Sequence, residues 1–327
     1  MSNRCFVCKD PRPLTLEHII PQAIGGRLKA KLYCKVCNDT FGHVLDDEIS
    51  RQFGWISTLL NIKRRRGVPQ PYEVKELSSG TTLVFNGKGL KRKTPIIKIT
   101  SIDGSKLDSV DVTARSKREL EKICASIQKR YKVSGPMKTF QDVHPGPTDA
   151  EYEITIDNAL LRRAISKTVY GFLCIKLPND IILSSPFERV REYIKAGQGH
   201  ALAHANFIHT QFMTDRIRPL HKIHVTLNRG ENLVVGYVSL FGIYRFTVLL
   251  ADRFESKFEW PCLDYTFDPV RLEEVVGNAN FRAPQLTKDN ILHPKQSKEF
   301  VLSELNKGHK VIESYVPKYR FLGGDLG

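Results

Sequence analysis

Two short cysteine pairs constrain this chain more than any other feature: Cys5-x2-Cys8 and Cys34-x2-Cys37. Each CxxC step makes a tight turn that aims two sulfurs at one point, and two such steps suit one tetrahedral Zn2+ held by four thiolates. Residues 1 to about 45 hold few apolar side chains, so a bound ion is expected to supply folding free energy that a core would supply elsewhere. Four sulfurs leave the zinc no open position. The ion is therefore structural, and any chemistry lies elsewhere. Cys124, Cys174 and Cys262 stand singly in apolar surroundings and read as buried hydrophobes.

Between the pairs, in "LTLEHIIPQAIGG", stands the charged step Glu17-His18, and the second pair is followed at once by Asn38. The order Cys5-x2-Cys8, Glu17-His18-Ile19-Ile20-Pro21, Gly25-Gly26, Cys34-x2-Cys37-Asn38 resembles the HNH, or ββα-metal, nuclease superfamily over about the first fifty residues. The resemblance implies a catalytic set of His18, Glu17 and Asn38. His18 matches the general base that activates water, Glu17 the acidic ligand of a catalytic metal, and Asn38 the residue that begins the helix and holds the same metal. The third position of the family has no clean match. His43 falls about 140° around a helix from Asn38, while Asp46 lies nearer the Asn38 face.

The chemistry of these residues agrees. Phosphodiester hydrolysis needs a base active near neutral pH, which is where the imidazole titrates. One carboxylate and one amide leave several positions for water and phosphate, which suits Mg2+ or Mn2+. Adjacent residues of an extended segment point to opposite sides, so Glu17 can face a metal while His18 faces water. The structural zinc then staples the hairpin carrying Glu17-His18 to the helix after it.

The net charge of +15 is uneven. Residues 1–150 carry 27 Lys and Arg against 15 Asp and Glu, a net of +12, and a polyanion is the expected partner. Two clusters stand out, Lys63-Arg64-Arg65-Arg66 and Lys91-Arg92-Lys93; each is either a solvated surface or a contact to nucleic-acid backbone without sequence preference. No apolar run is long enough to span a membrane, and the N-terminus lacks the apolar run of a secretory signal, so an intracellular, cytoplasmic protein is expected.

The expected fold class is α+β: a small zinc-stapled ββα-metal module with its linking helix over residues 1–66, then a larger α+β domain with antiparallel strands over 67–327. A capping-box helix is expected from Ser116, a helix capped by Asp157, a shorter helix stopped by Gly197, and an antiparallel meander over His221 to Asp252. The last sixty residues carry little pattern. The function that the resemblance implies is a metal-dependent HNH endonuclease acting on double-stranded DNA, in restriction or anti-phage defence, with a homodimer or a defence-system protein as further partner. Two alternatives stand beside it: a non-catalytic zinc-module protein that binds nucleic acid, and a nuclease acting on RNA.

Overall fold

A computed structural model of the chain describes residues 4–63, 71–76, 80–86, 90–103, 106–114, 116–131, 150–151, 155, 158–255, 260–261, 263–276 and 283–315. It combines helices with antiparallel sheets and falls into two compact units. One contains residues 1–69 together with 154–316, the other 70–153 with 317–327. The boundary expected at residue 66 therefore does not separate one N-terminal module from one C-terminal domain. The chain leaves the first unit after Pro69 and returns to it at Ile154.

The first unit opens with a cysteine turn, Cys5 to Cys8, closed by the Lys9 N–H on the Cys5 carbonyl. Strands β1 (Leu14–His18) and β2 (Lys29–Cys34) pair antiparallel. In the turn between them Gly25 has φ of +95°, and a Cβ on Gly26 would lie 1.9 Å from the Ile20 carbonyl oxygen. The double glycine is demanded by this close backbone approach. Helix α1 (Lys35–Phe41) follows β2 without a loop, because Cys34 is extended and serves as its N-cap. The helix was expected to begin at Asn38; it begins one turn earlier, and Asn38 is its fourth residue. A wide π-turn at Gly42–Asp46 joins α1 to α2 (Asp47–Leu59).

The returning chain supplies α4 (Ala159–Lys176). Its N-cap is Asn158, whose Oδ1 accepts the Leu161 N–H at 2.8 Å, one residue beyond the Asp157 cap expected from the sequence. Buried residues run all round this helix from Leu161 to Cys174, the signature of a helix covered on every side. A Cβ added to Gly171 would lie 3.1 Å from the Tyr33 hydroxyl and 3.3 Å from Ile19. On another side Val169 fills the space left by Gly236. Helix α4 is thus packed between the β1–β2 hairpin and a six-stranded sheet.

That sheet contains β9 (Ala203–Ala205), β10 (His221–Asn228), β11 (Leu233–Leu240), β12 (Tyr244–Ala251), β13 (Leu263–Asp268) and β14 (Glu273–Glu274). They lie in the order β14-β13-β10-β11-β12-β9, antiparallel throughout. The meander over His221 to Ala251 is as the alternating pattern predicts. A second apolar cluster, with Met213, Val235, Tyr237, Leu249, Leu286 and Ile291, packs the other side of the sheet. Helix α6 (Glu188–Ala196) ends at Gly197 in left-handed conformation, as expected. The weakly patterned tail holds two further helices, α7 (Lys288–Leu292) and the long α8 (Lys298–Tyr315); a short α5 (Asn179–Ile182) follows α4.

The cysteine module does have an apolar core. Phe6, Val7, Ile19, Ile20, Leu32 and Tyr33 are buried in one cluster with Leu161, Val169, Phe172, Val225 and Val248. The first 45 residues look core-poor only because their partners lie far along the chain.

The second unit carries a four-stranded antiparallel sheet, β5-β4-β3-β8, from β3 (Tyr72–Glu76), β4 (Thr82–Phe85), β5 (Leu90–Arg92) and β8 (Ala150–Glu151). It also carries a hairpin of β6 (Ile96–Asp103) and β7 (Lys106–Thr113), and helix α3 (Lys117–Tyr131), where Ser116 Oγ accepts the Glu119 N–H. Among the described residues no helix is long and apolar enough to cross a membrane.

Candidate functional site

The four cysteines meet as their spacing predicts. The sulfurs of Cys5, Cys8, Cys34 and Cys37 all lie within 4.8 Å of one another, and Cys8 Sγ is 3.8 Å from Cys34 Sγ. Four sulfurs at about 2.3 Å from one zinc stand roughly 3.8 Å apart along a tetrahedral edge, so this set fits the ion. The thiols do not titrate alike. Cys5 is pushed down to about 4, first by its hydrogen bond with Cys37 and against its own burial, while burial holds Cys8 up at about 11. Sulfurs crowded so closely share protons, and a divalent cation takes the place of those protons.

The hairpin then sorts Glu17 and His18. Glu17 pairs with Ala30 and His18 with Lys29; Leu16 pairs with Lys31. Alternation puts Leu16, His18, Lys29 and Lys31 on the outward face and Glu17 on the inward one. Burial agrees: Glu17 is 6% exposed, His18 is half-buried, and Leu16, Lys29 and Lys31 are exposed. Partial burial draws the His18 imidazole below its ordinary pKa, and the cations of Lys29, Lys167 and Arg27 reinforce the shift against the pull of Asp46. A ring so placed is neutral at pH 7 and able to accept a proton.

Asn38 reaches back from α1, its Nδ2 donating to the Leu16 carbonyl at 3.3 Å, and so ties the helix to β1 two residues before His18. Its Oδ1 is buried without a hydrogen-bond partner among the described residues. Asp46 ends the π-turn with its side chain 20% exposed, while His43 is exposed on the same turn. The wide turn shifts the phase of the helix, which brings Asp46 toward β1.

Between Glu17 and Asp46 sits a residue the sequence did not announce. Lys167, on α4 and with its side chain 1% exposed, forms ion pairs with Glu17 and with Asp46, the latter at 2.6 Å. Burial alone would lower the ammonium's pKa, but the Asp46 and Glu17 carboxylates outweigh it and hold it above the ordinary lysine value. Burial raises the Glu17 carboxyl, with Lys167 opposing. Glu17, Asn38 and Asp46 were expected to hold a catalytic Mg2+ or Mn2+. As their side chains lie, they do not fit an open divalent site, because an ammonium already bridges the two carboxylates.

Residues 5–54 match the family model for HNH endonucleases. The match spans the cysteine module, the π-turn and the first half of α2. It makes this segment an HNH module, of a class whose nucleases are metal-dependent hydrolases acting on nucleic acid. No curated protein and no solved structure matches the chain.

The basic clusters lie only partly within the described residues. Lys63 is exposed, and its carbonyl accepts from Arg27 Nη2 at 2.8 Å. Arg64, Arg65 and Arg66 lie outside the described residues. Lys91 and Arg92 belong to the backbone of β5, and their side chains are likewise outside. Lys93 is paired with Glu73 at 2.8 Å. Lys29 lies directly across from His18 and Lys31 diagonally from it, opposite Leu16, and their spacing of two in a strand was the available sequence signal.

Proposed function

We propose that the protein is an endonuclease that hydrolyses phosphodiester bonds of DNA, with His18 as the general base. The observation that carries this reading is the shared outward face of His18, Lys29 and Lys31, with Glu17 turned inward behind it. A phosphate lying across that face would meet a neutral imidazole on β1 and two ammonium groups on the neighbouring β2. The lysines would bind and orient the backbone, and His18 would take the proton of the attacking water. Asn38 would hold the strand against α1, so that His18 keeps its position while the backbone is bound. Lys29 and Lys31 contact phosphate and not bases, so sequence preference, restriction or anti-phage specificity included, would come from elsewhere in the chain.

The test is incubation of the purified protein with plasmid DNA, single-stranded DNA and RNA, with and without Mg2+ or Mn2+, beside a His18→Ala control. Cleavage of duplex DNA should fall by at least ~10²-fold in the variant, with nucleic-acid binding retained. Equal cleavage by the two proteins would refute the role of His18. Binding without any cleavage by the wild type would favour the non-catalytic alternative, and cleavage confined to RNA would move the substrate.

A further inference from the structure

Glu17 is buried and the Asp46 side chain is one-fifth exposed, and the space between these two carboxylates of the HNH module already holds a cation. Glu17 reaches it from β1, Asp46 from the π-turn, and Lys167 from a helix 121 residues beyond Asp46. The ammonium is held in place because its helix is. Gly171 packs against Tyr33 and Ile19, Val169 against Gly236, and the Tyr170 hydroxyl donates to the Phe6 carbonyl at 2.9 Å. A lysine 2% exposed with two carboxylate partners has no route to water that leaves those partners satisfied.

Charge counting sharpens the point. Two carboxylates alone would present a pocket of charge −2, which draws a divalent ion strongly. With Lys167 in place the pocket carries −1, and a second cation bound at Glu17 would stand within a few ångströms of the ammonium. We propose that the Lys167 ammonium and a divalent cation are alternative occupants of the Glu17–Asp46 pocket, and that the folded chain supplies the lysine. A divalent ion enters this pocket only when the Lys167 side chain swings out of it while α4 stays put. Lys167 is thus a positioning residue that sets the cation affinity of the HNH module, and it belongs to the part of the chain that no HNH match covers. The inference rests on the nuclease reading only for why that affinity matters, so its test uses no nucleic acid.

The experiment is titration of the zinc-loaded protein with Mn2+ alone, followed by electron paramagnetic resonance of the free ion. Wild type, Lys167→Met and the charge-balanced Glu17→Gln/Lys167→Met are compared. Methionine keeps the length of the stem and removes the charge. Lys167→Met should bind one Mn2+ at least roughly tenfold more tightly than wild type, and the double variant should lose that gain. Two carboxylates left without the ammonium, Glu17 of them buried, can unfold the single variant, so folding is followed by near-ultraviolet circular dichroism. If it is unfolded in Mn2+-free buffer, it should fold when Mn2+ is added, while the double variant folds without it. The proposal is overturned by equal Mn2+ affinity in wild type and Lys167→Met. It is also overturned by a single variant that stays unfolded at saturating Mn2+, or by failure of both variants to fold, which would make the lysine's fit rather than its charge the requirement. Loss of DNA cleavage by the wild type in the separate nuclease assay would leave these outcomes unaffected.

Discussion

Lys167 Nζ lies 2.6 Å from Asp46 Oδ1, although 121 residues separate the two in the chain. The pair joins the π-turn of the HNH module to a helix that the chain supplies only after the second unit. The module's interior and its inward carboxylates are both completed by α4.

Substitution at Gly171 tests that packing. Its missing Cβ leaves 3.1 Å to the Tyr33 hydroxyl and 3.3 Å to Ile19, so valine there must push the hairpin away from α4. Gly171→Val is expected to lower stability by about 1–3 kcal/mol, the usual range for an overpacked core, with any gain in helix propensity too small to offset it. Urea unfolding of the full chain reads the change. An unaltered midpoint would mean that the hairpin and the helix do not share a tight contact.

Zinc removal should have a local effect. Metal analysis is expected to find one Zn2+ per chain, and Cys37→Ser to lose it. The hairpin's Ile19, Ile20, Leu32 and Tyr33 share a core with the sheet, so the sheet should survive. Hydrogen exchange after chelation should therefore accelerate over residues 5–34 and change little over 221–251. Zinc-free protein with an unchanged exchange pattern would contradict a structural ion.

The outward lysines make a prediction about salt. Lys29→Ala/Lys31→Ala, made in a His18→Ala background to prevent cleavage, should weaken binding to unrelated duplexes alike. The slope of log affinity against log salt should become shallower by roughly two units. Lys63→Ala serves as comparison, since Lys63 is exposed and belongs to neither strand of the β1–β2 hairpin. A slope unchanged by the double substitution would move the substrate path to another surface.

His221 makes stability depend on pH. Its Nε2–H donates to the Ile24 carbonyl at 2.8 Å and its Nδ1 accepts the Phe241 N–H at 3.3 Å, which leaves no room for a second proton. Burial pushes the folded pKa down to about 4, from 6.5 in the unfolded chain. The folded-state value is the lower one, so this contribution is fully present above pH 6.5. It falls as pH drops toward 4, by about 2–3 kcal/mol across the window. Urea titrations at pH 7 and pH 4.5 should show the loss, and His221→Gln, which keeps one donor and one acceptor, should reduce it by about one proton's worth. An identical pH slope in the variant would place the titration elsewhere.

The parts of this fold legible in the sequence are those whose signals are local. The CxxC steps, the outward His18 and inward Glu17, the Ser116 cap, the Gly197 stop and the β10–β12 meander all follow from spacing or alternation over a few residues. Helix α8 was missed because its apolar side is sparse, and the core of the cysteine module because Leu161, Val169 and Phe172 come from beyond residue 154. Lys167 left one trace: a lysine in the middle of "LLRRAISKTVYGFLCIK" with no acidic residue three or four positions away, on a helix otherwise apolar on most sides. Such a lysine needs a distant carboxylate, and the sequence does not say which.

The detour of the chain through the second unit also imposes an order on synthesis. Asp46 and Glu17 leave the ribosome long before Lys167, and at ordinary elongation rates the interval is on the order of ten seconds. During that time the hairpin lacks both its covering helix and its ammonium. The cysteine turns are complete by residue 37, so zinc can hold the nascent hairpin until α4 arrives.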